Sequence, residues 1–111
     1  MKVGKFGPLF LRNELINTNR HGILLRKNAI MIKFLKSTEN KCAFIVRKKF
    51  GNAPQRNKFK RQIREILRKT NLFDEKKIYC LIIAKNQALH YHFNELKNEM
   101  ETMLTSIQHQ I

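Results

Sequence analysis

With 111 residues, a 42% hydrophobic fraction and a formal net charge of +15, the chain can form one folded domain and is too apolar for a disordered basic tail. No apolar run approaches the about 18 residues that a membrane-spanning helix needs, and two isolated cysteines exclude a disulfide framework. These properties predict a single cytoplasmic domain, 1–111, whose positive charge indicates a polyanionic partner.

The first half of the chain shows a weak helical pattern followed by clear strand patterns. Residues 1–9, which include two glycines and a proline, predict a loose lead-in, and residues 10–20 predict a short helix that ends before Gly22. Alternating apolar residues predict a strand over 29–36, and residues 42–48 predict the second arm of an antiparallel hairpin. Both strands carry apolar residues on both faces, so we expect one face of the sheet to be covered and the other partly exposed.

The most informative stretch is a basic helix predicted over residues 53–69. Asn52 is a good N-cap, and Gln55 completes a capping box three residues later. Apolar residues recur at helical spacing along one face, whereas the stretch 47–69 holds ten of the 23 Lys and Arg residues and a single acid, Glu65. One side of this helix is thus expected to pack on a core, and the other to present dense positive charge.

The remaining elements complete a mixed pattern. Residues 70–77 predict a polar connection, the apolar run 78–84 predicts a strand buried on both faces, and residues 93–108 predict an amphipathic last helix. The residues alone therefore indicate an α+β fold in the order helix, strands, basic helix, buried strand, helix. Cys42 and Cys80 fall within the apolar strand segments and are expected to be buried free thiols.

The basic stretch predicts binding to nucleic acid. A solvated helix face normally mixes both signs of charge, and like charges four residues apart oppose helix formation, so an anionic partner explains this pattern better. Arg56 and Lys60, together with Lys58 or Arg61, are expected to project as one group and to bind phosphates. Asn57, among these cations, could hydrogen-bond a base or a phosphate.

No pattern indicates a catalytic residue or a metal site. His90 and His92 lie in a loop before the last helix, and neither has a carboxylate or lysine placed to orient its ring. No set of acids resembles a metal cage, and the chain has no glycine-rich phosphate loop. Phe34 and Phe44 lie on strands, where they are either core residues or, on an uncovered sheet face, platforms for unpaired bases.

The order of residues in the basic stretch resembles the signature of the bacterial ribonuclease P protein subunit. In that family, a Lys-Lys-apolar-Gly-Asn-Ala segment leads into a helix of the form Arg-Asn-Arg-x-Lys-Arg-x-x-Arg. Residues 48–53 follow the first pattern, and the resemblance extends over residues 28–108. The second pattern, with lysine at its third position, is matched by Arg56, Asn57, Lys58, Lys60, Arg61 and Arg64.

The resemblance implies a two-layer α/β sandwich in the order helix, three strands, helix, strand, helix. It also implies that the basic helix lies in a left-handed crossover between parallel strands, against the usual handedness. The implied holoenzyme removes the 5′ leader from precursor tRNA, and its RNA subunit, with bound magnesium, is the catalyst. The protein is expected to bind no cofactor itself. Its implied partners are the catalytic ribonuclease P RNA and precursor tRNA, without DNA, a membrane or a further protein. On this resemblance, the residues assigned to RNA contacts are Lys48, Lys49, Asn52, Arg56, Asn57, Lys58, Lys60, Arg61, Arg64 and Arg68.

The resemblance further implies that the single-stranded leader lies in a cleft between the sheet and the first helix. This chain departs from the family there, because it has Ile45 and Arg47 where small hydroxyl residues are common and no aromatic pair before Gly22. The residues assigned to the leader are Lys33, Phe34, Phe44 and Arg47.

Three other functions remain open from the residues alone. The first alternative is a general structured-RNA-binding protein of ribosomal type, without a role in cleavage. A membrane-surface protein would use the same cations on anionic lipid, and a protein nuclease would cleave RNA without any partner.

Overall fold

The structure, a computed structural model, describes residues 6–8, 12–70, 73 and 75–111. In chain order the elements are β1 (Gly7–Pro8), α1 (Arg12–His21), β2 (Ile23–Arg26), β3 (Ile30–Ser37), β4 (Lys41–Ile45), a 3₁₀ helix (Lys48–Phe50), α2 (Ala53–Lys69), β5 (Lys77–Ala84), a second 3₁₀ helix (Asn86–His90) and α3 (Phe93–Gln110). The predicted α+β fold and its order of helices and strands are confirmed, with the two-residue strand β1 as an addition. Among the helices so described, none is long and apolar enough to cross a membrane.

The sheet has the strand order β1-β4-β5-β3-β2, which differs from the predicted hairpin. Strand β5 lies between β3 and β4, antiparallel to β3 and parallel to β4, with Cys42 opposite Cys80. The prediction that residues 42–48 form the second arm of a hairpin is therefore wrong. The hairpin partner of β3 is β2, with Ile23 opposite Phe34. Helix α2 connects the parallel strands β4 and β5, and the hand of this crossover stays a prediction.

Helices α2 and α3 cover one face of the sheet and form the main core with it. Strand β3 contributes Ile30, Ile32 and Phe34, which are fully buried on this face. Both helices bury the apolar stripes that the sequence predicted, because helical spacing brings these residues to one side. The stripes consist of Phe59, Ile63, Ile66 and Leu67 on α2 and Leu96, Met100, Met103, Leu104 and Ile107 on α3.

Helix α1 lies on the opposite face and is fixed at both ends. Near its start, Lys41 Nζ lies 2.9 Å from the Glu14 carboxylate, to which the Tyr79 hydroxyl also donates at 3.1 Å. At its end, Gly22 N donates to the Thr18 carbonyl oxygen at 2.9 Å. A Cβ at position 22 would lie 2.4 Å from that oxygen, so the chain can turn back into β2 this closely only with glycine there.

Residues 6–8, which precede α1, form part of the fold. Phe6 is fully buried, with its ring centroid 6.0 Å from that of Phe73, and β1 pairs in parallel with the start of β4. The prediction of a loose lead-in is therefore wrong for residues 6–8, because an aromatic side chain joins the core. Residues 1–5 and 9 lie outside the described residues. Phe73 also shows that the connection predicted to be polar contributes to the core.

Candidate nucleic-acid interface

The start of α2 is built by the predicted capping box. Gln55 N donates to Asn52 Oδ1 at 2.9 Å, and Asn52 N donates to Gln55 Oε1 at 2.8 Å. These two bonds satisfy donors that a helix N-terminus otherwise leaves open. A Cβ at Gly51 would lie 2.3 Å from Gln55 Oε1, so glycine leaves room for the side chain that closes the box.

The 3₁₀ helix just before this cap is held firmly against α2. Arg56 Nη1 donates to the Gly51 carbonyl oxygen at 2.6 Å, so this guanidinium is partly used to position the loop. Phe50 packs against Phe59 with ring centroids 5.4 Å apart. The basic residues 48–49 therefore stand on a segment with a fixed orientation relative to the helix.

The basic residues of α2 lie on three sides of the helix. At about 100° per residue, Arg56, Lys60 and Arg64 fall on one flank of the buried stripe, and all three are half-buried. Arg61 points outward and is exposed, and Lys58 is exposed about 200° around from Arg56. The predicted group is therefore wrong in its third member, which is Arg64 rather than Lys58 or Arg61.

Not all of these cations are equally available to an anionic partner. Arg68 and Lys69 both pair with the one acid of the helix, Glu65, with Lys69 Nζ 3.1 Å from its carboxylate. The hydrogen bond from Arg68 is the main cause of a lowered pKa at Glu65, followed by that from Lys69. Lys58 and Arg61, in contrast, form no ion pair with any described residue. Their full charge therefore faces solvent.

Arg64 joins the helix to the edge of the sheet. Its guanidinium carbon lies 5.3 Å from the centroid of the Phe44 ring, a distance typical of cation–π contacts. Phe44 stands opposite Ile82 in the parallel pair, so its ring lies on the side of α2. Arg64 Nε is buried and has no hydrogen-bond partner among the described residues. The guanidinium of Arg64 thus lies at the boundary between helix and sheet.

On the other face, α1 and the sheet enclose a groove of about 770 Å³, here called the α1 groove. Its floor is largely apolar, and Lys33 and Arg47 are among its cations. Lys33 Nζ donates to Asn19 Oδ1 at 2.8 Å and to the Asn19 carbonyl oxygen at 3.1 Å, which ties β3 to the end of α1. The groove is lined by Leu15, Ile16, Asn19, Leu24, Arg26, Met31, Lys33, Ala43, Phe44, Ile45, Arg47, Leu81 and Ile83.

Three of the four residues assigned to the leader reach the α1 groove. Lys33 and Arg47 line it, and Phe44 forms part of its wall although its ring contacts Arg64. Phe34 is fully buried on the opposite face of β3, so the prediction that it contacts the leader is wrong. Alternation along the strand places Lys33 in the groove instead. The contacts of the other three with a leader stay predictions.

A second depression of about 590 Å³ continues the α1 groove past Arg47. It adds Lys49, Lys85 and His90 to the lining, and Arg26 extends the α1 groove on its other side. The sequence patterns alone indicate no role for Lys85 or Arg26. Both stand at the end of an apolar strand segment, which is the signal that would have placed them at the rim of the sheet. A band of cations thus leads from the α1 groove to the start of α2.

The histidines before α3 show no arrangement suited to catalysis. His92 N donates to Glu95 Oε1 at 3.0 Å and so begins the helix, while His90 is exposed beside the second depression. Within residues 6–8, 12–70, 73 and 75–111, no group of three or more His, Cys, Asp or Glu residues could hold a metal ion.

Comparisons with known proteins point to one family. Residues 8–108 match the family Ribonuclease P. The chain is 35% identical over 81 residues to the ribonuclease P protein component of Thermus scotoductus, a match that covers 73% of this chain and 48% of that protein. For the protein component of Thermus aquaticus the identity is 38% over 77 residues, covering 69% of this chain and 46% of the relative. The chain thus spans about half the length of the curated relatives it matches.

Solved structures share the fold at lower identity. The RNase P protein from Thermotoga maritima superposes with a TM-score of 0.78 at 24% identity, covering 88% of this chain and 94% of that one. The RNase P protein of Staphylococcus aureus gives a TM-score of 0.73 at 22% identity, covering 87% and 90%. At these identities the likeness concerns the fold.

Proposed function

Because the chain belongs to the ribonuclease P protein family, we propose that it is the protein subunit of this endoribonuclease and acts by binding RNA. It binds the catalytic RNA and the 5′ leader of precursor tRNA, and so assists endonucleolytic removal of the leader in the cytoplasm. The chemistry belongs to the RNA subunit, and no residue of this chain takes a catalytic role.

The observation that carries this proposal is the basic surface of α2. The helix has 17 residues and is therefore about 26 Å long, at about 1.5 Å per residue. Its cations stand on a scaffold fixed by the capping box and by the contact of Arg56 with Gly51. A rigid array of this length can neutralise several phosphates of a folded RNA at once, because the phosphates of a nucleic-acid helix are also regularly spaced.

The α1 groove supplies the site for the single-stranded leader. Unpaired nucleotides bind where apolar surface can meet the bases while cations meet the backbone. The groove combines an apolar floor with Lys33 and Arg47, and the second depression extends the cations to Lys85. Arg47 lines both depressions, which makes it the link between the leader site and the residues that precede α2.

The interface does not suit a magnesium ion of its own. Magnesium prefers carboxylate oxygens, and the carboxylate of α2, that of Glu65, is already paired with Arg68 and Lys69. We therefore assign the magnesium ions of the reaction to the RNA subunit. The protein needs no cofactor, and neither DNA, a membrane nor a further protein enters the proposed assembly.

The test is reconstitution of the full chain with a bacterial ribonuclease P RNA transcript at low magnesium. The chain should restore leader removal from precursor tRNA. The variant Lys60→Ala/Arg61→Ala should bind the RNA more weakly and flatten the dependence of log K on log salt by about two units. The control Lys36→Ala/Lys97→Ala removes the same charge from exposed positions outside α2 and should leave the affinity and the salt slope unchanged. Equal slopes for the two variants would count against the proposal.

The same assay separates the alternatives. A general RNA-binding protein of ribosomal type would bind the transcript without restoring cleavage. A membrane-surface protein would bind anionic vesicles even with RNA in excess, and a nuclease would cleave precursor tRNA without the transcript. The leader site is tested by Lys33→Gln/Arg47→Gln, which should weaken binding of precursor tRNA but not of tRNA lacking its leader.

A further inference from the structure

The flank of α2 that carries Lys58 faces the start of α3, and two depressions lie between them. The smaller has a volume of about 130 Å³ and the larger, more open one about 370 Å³. Lys58 and Gln62 line both depressions, so they form one continuous surface, here called the α2–α3 groove. Its other wall carries two half-buried aromatic residues, Tyr91 in the smaller part and Phe93 in the larger.

The groove combines three kinds of chemistry. Lys58 and Arg61 bring positive charge that no described acid neutralises. The half-buried amide of Gln62 makes no hydrogen bond with the described residues and can both donate and accept. Tyr91 and Phe93 pack in part against the core, and both also line the groove. Glu65 also lines the groove, but Arg68 and Lys69 neutralise its carboxylate.

We propose that the α2–α3 groove binds an unpaired nucleotide of the catalytic RNA. The base stacks on Tyr91 or Phe93, Gln62 hydrogen-bonds its edge, and Lys58 with Arg61 neutralises the adjoining phosphates. The smaller depression, at about 130 Å³, lies below the range of about 300–1,000 Å³ typical of sites for larger ligands, and so fits a single ring system. This inference rests on the proposed function.

The site is separate from the one assigned to the leader. The α1 groove lies on the face of the sheet covered by α1, and no residue that lines it or the second depression also lines the α2–α3 groove. A nucleotide bound in one groove therefore leaves the other free. Because the α2–α3 groove shares Lys58 and Arg61 with the α2 surface assigned to the catalytic RNA, its nucleotide is assigned to that RNA and not to precursor tRNA.

The test compares two double variants of the full chain in binding to a ribonuclease P RNA transcript. Tyr91→Leu/Phe93→Leu keeps apolar bulk but removes both rings, and should raise Kd about 5- to 150-fold without changing the salt slope. Tyr91→Phe/Phe93→Tyr keeps both rings and should retain wild-type affinity. Two single variants change side chains outside the core, the half-buried Gln62 and the exposed Lys58. Gln62→Ala should weaken RNA binding without changing its salt slope. Lys58→Ala should flatten the salt slope by about one unit.

Each outcome bears on one proposal. If the wild-type chain fails to bind the transcript, the proposed function falls. If it binds with a steep salt slope but the leucine variant binds equally well, only the nucleotide site is refuted. An equal loss in the ring-keeping variant would also refute it, since packing would then explain the loss. A photocrosslinker at position 93 should react with an unpaired nucleotide, and a crosslink to a helical stem would overturn the site.

Discussion

Replacement of Asn52 by alanine tests how far the stability of the domain depends on the start of α2. The change removes Oδ1, which accepts a hydrogen bond from Gln55 N at 2.9 Å. It leaves the backbone N of residue 52, so Gln55 Oε1 can still accept its reciprocal bond, which is 2.8 Å long in the native chain. The variant should therefore lose one bond of the capping box and keep the other.

The magnitude follows from the exposure of this cap. Both Asn52 and Gln55 are exposed, so water can replace the lost bond and the cost stays within the range of about 0.5–2 kcal/mol for N-cap deletions. We expect a loss of about 1 kcal/mol in the free energy of unfolding, which lowers Tm by about 4 °C in a domain of this size. Because no charge is removed, the salt slope of RNA binding should not change.

Thermal unfolding followed by circular dichroism measures the loss, with Asn57→Ala as the matched control. Asn57 is an exposed residue inside the same helix, where alanine is the better helix former by up to about 0.7 kcal/mol. The control should therefore keep or gain stability. An unchanged Tm in Asn52→Ala, or the same drop in both variants, would refute the assignment of Asn52 as a cap.

Three further predictions concern α1 and the core. Gly22→Ala should destabilise the domain by about 1–3 kcal/mol in urea unfolding, because its Cβ would lie 2.4 Å from a backbone oxygen. Gly7→Ala is the control and should have little effect, because the nearest atom to its Cβ would be 3.7 Å away. Glu14→Gln should speed amide hydrogen exchange in α1. It should also lower the pKa of Lys41, because the hydrogen bond to the Glu14 carboxylate raises that pKa. An unchanged Lys41 titration by NMR would contradict this prediction. Burial raises the pKa of Cys42 to about 11 from 9.0, so the unfolded chain loses this proton first as pH rises. Cys42 should therefore lower stability by about 1.4 kcal/mol per pH unit between these values, in addition to the fall caused by Cys80, whose pKa burial also raises. The decline should be shallower in Cys42→Ala, and an unchanged slope would contradict this.

The basic helix could be predicted because its determinants are local. The capping box needs only Asn52 and Gln55, three residues apart, and the buried stripe repeats within one helix. For the same reason, the bounds predicted for this helix, residues 53–69, coincide with those observed.

The errors concern contacts between residues distant in the sequence. Alternation along β3 shows that Phe34 and Lys33 lie on opposite faces of the sheet. It does not show which of the two faces α2 and α3 cover, because that depends on how these distant helices pack. Phe6 and Phe73 meet across most of the chain, and neither segment carries a regular pattern. The contact of Arg64 with Phe44 could not be predicted either. Helical spacing gives the side of α2 on which Arg64 lies, but not which strand packs against that side.

The central position of β5 has a consequence for the order in which the domain can form. Strands β3 and β4 precede α2 in the chain, yet they are joined only through β5, which follows it. During synthesis, the basic helix therefore leaves the ribosome before its sheet can close. A nascent chain that ends before Lys77 would expose unpaired strand edges beside a strongly cationic helix, a combination prone to misassembly and to early contact with RNA. The completion of β5 is thus the step at which the domain acquires its sheet.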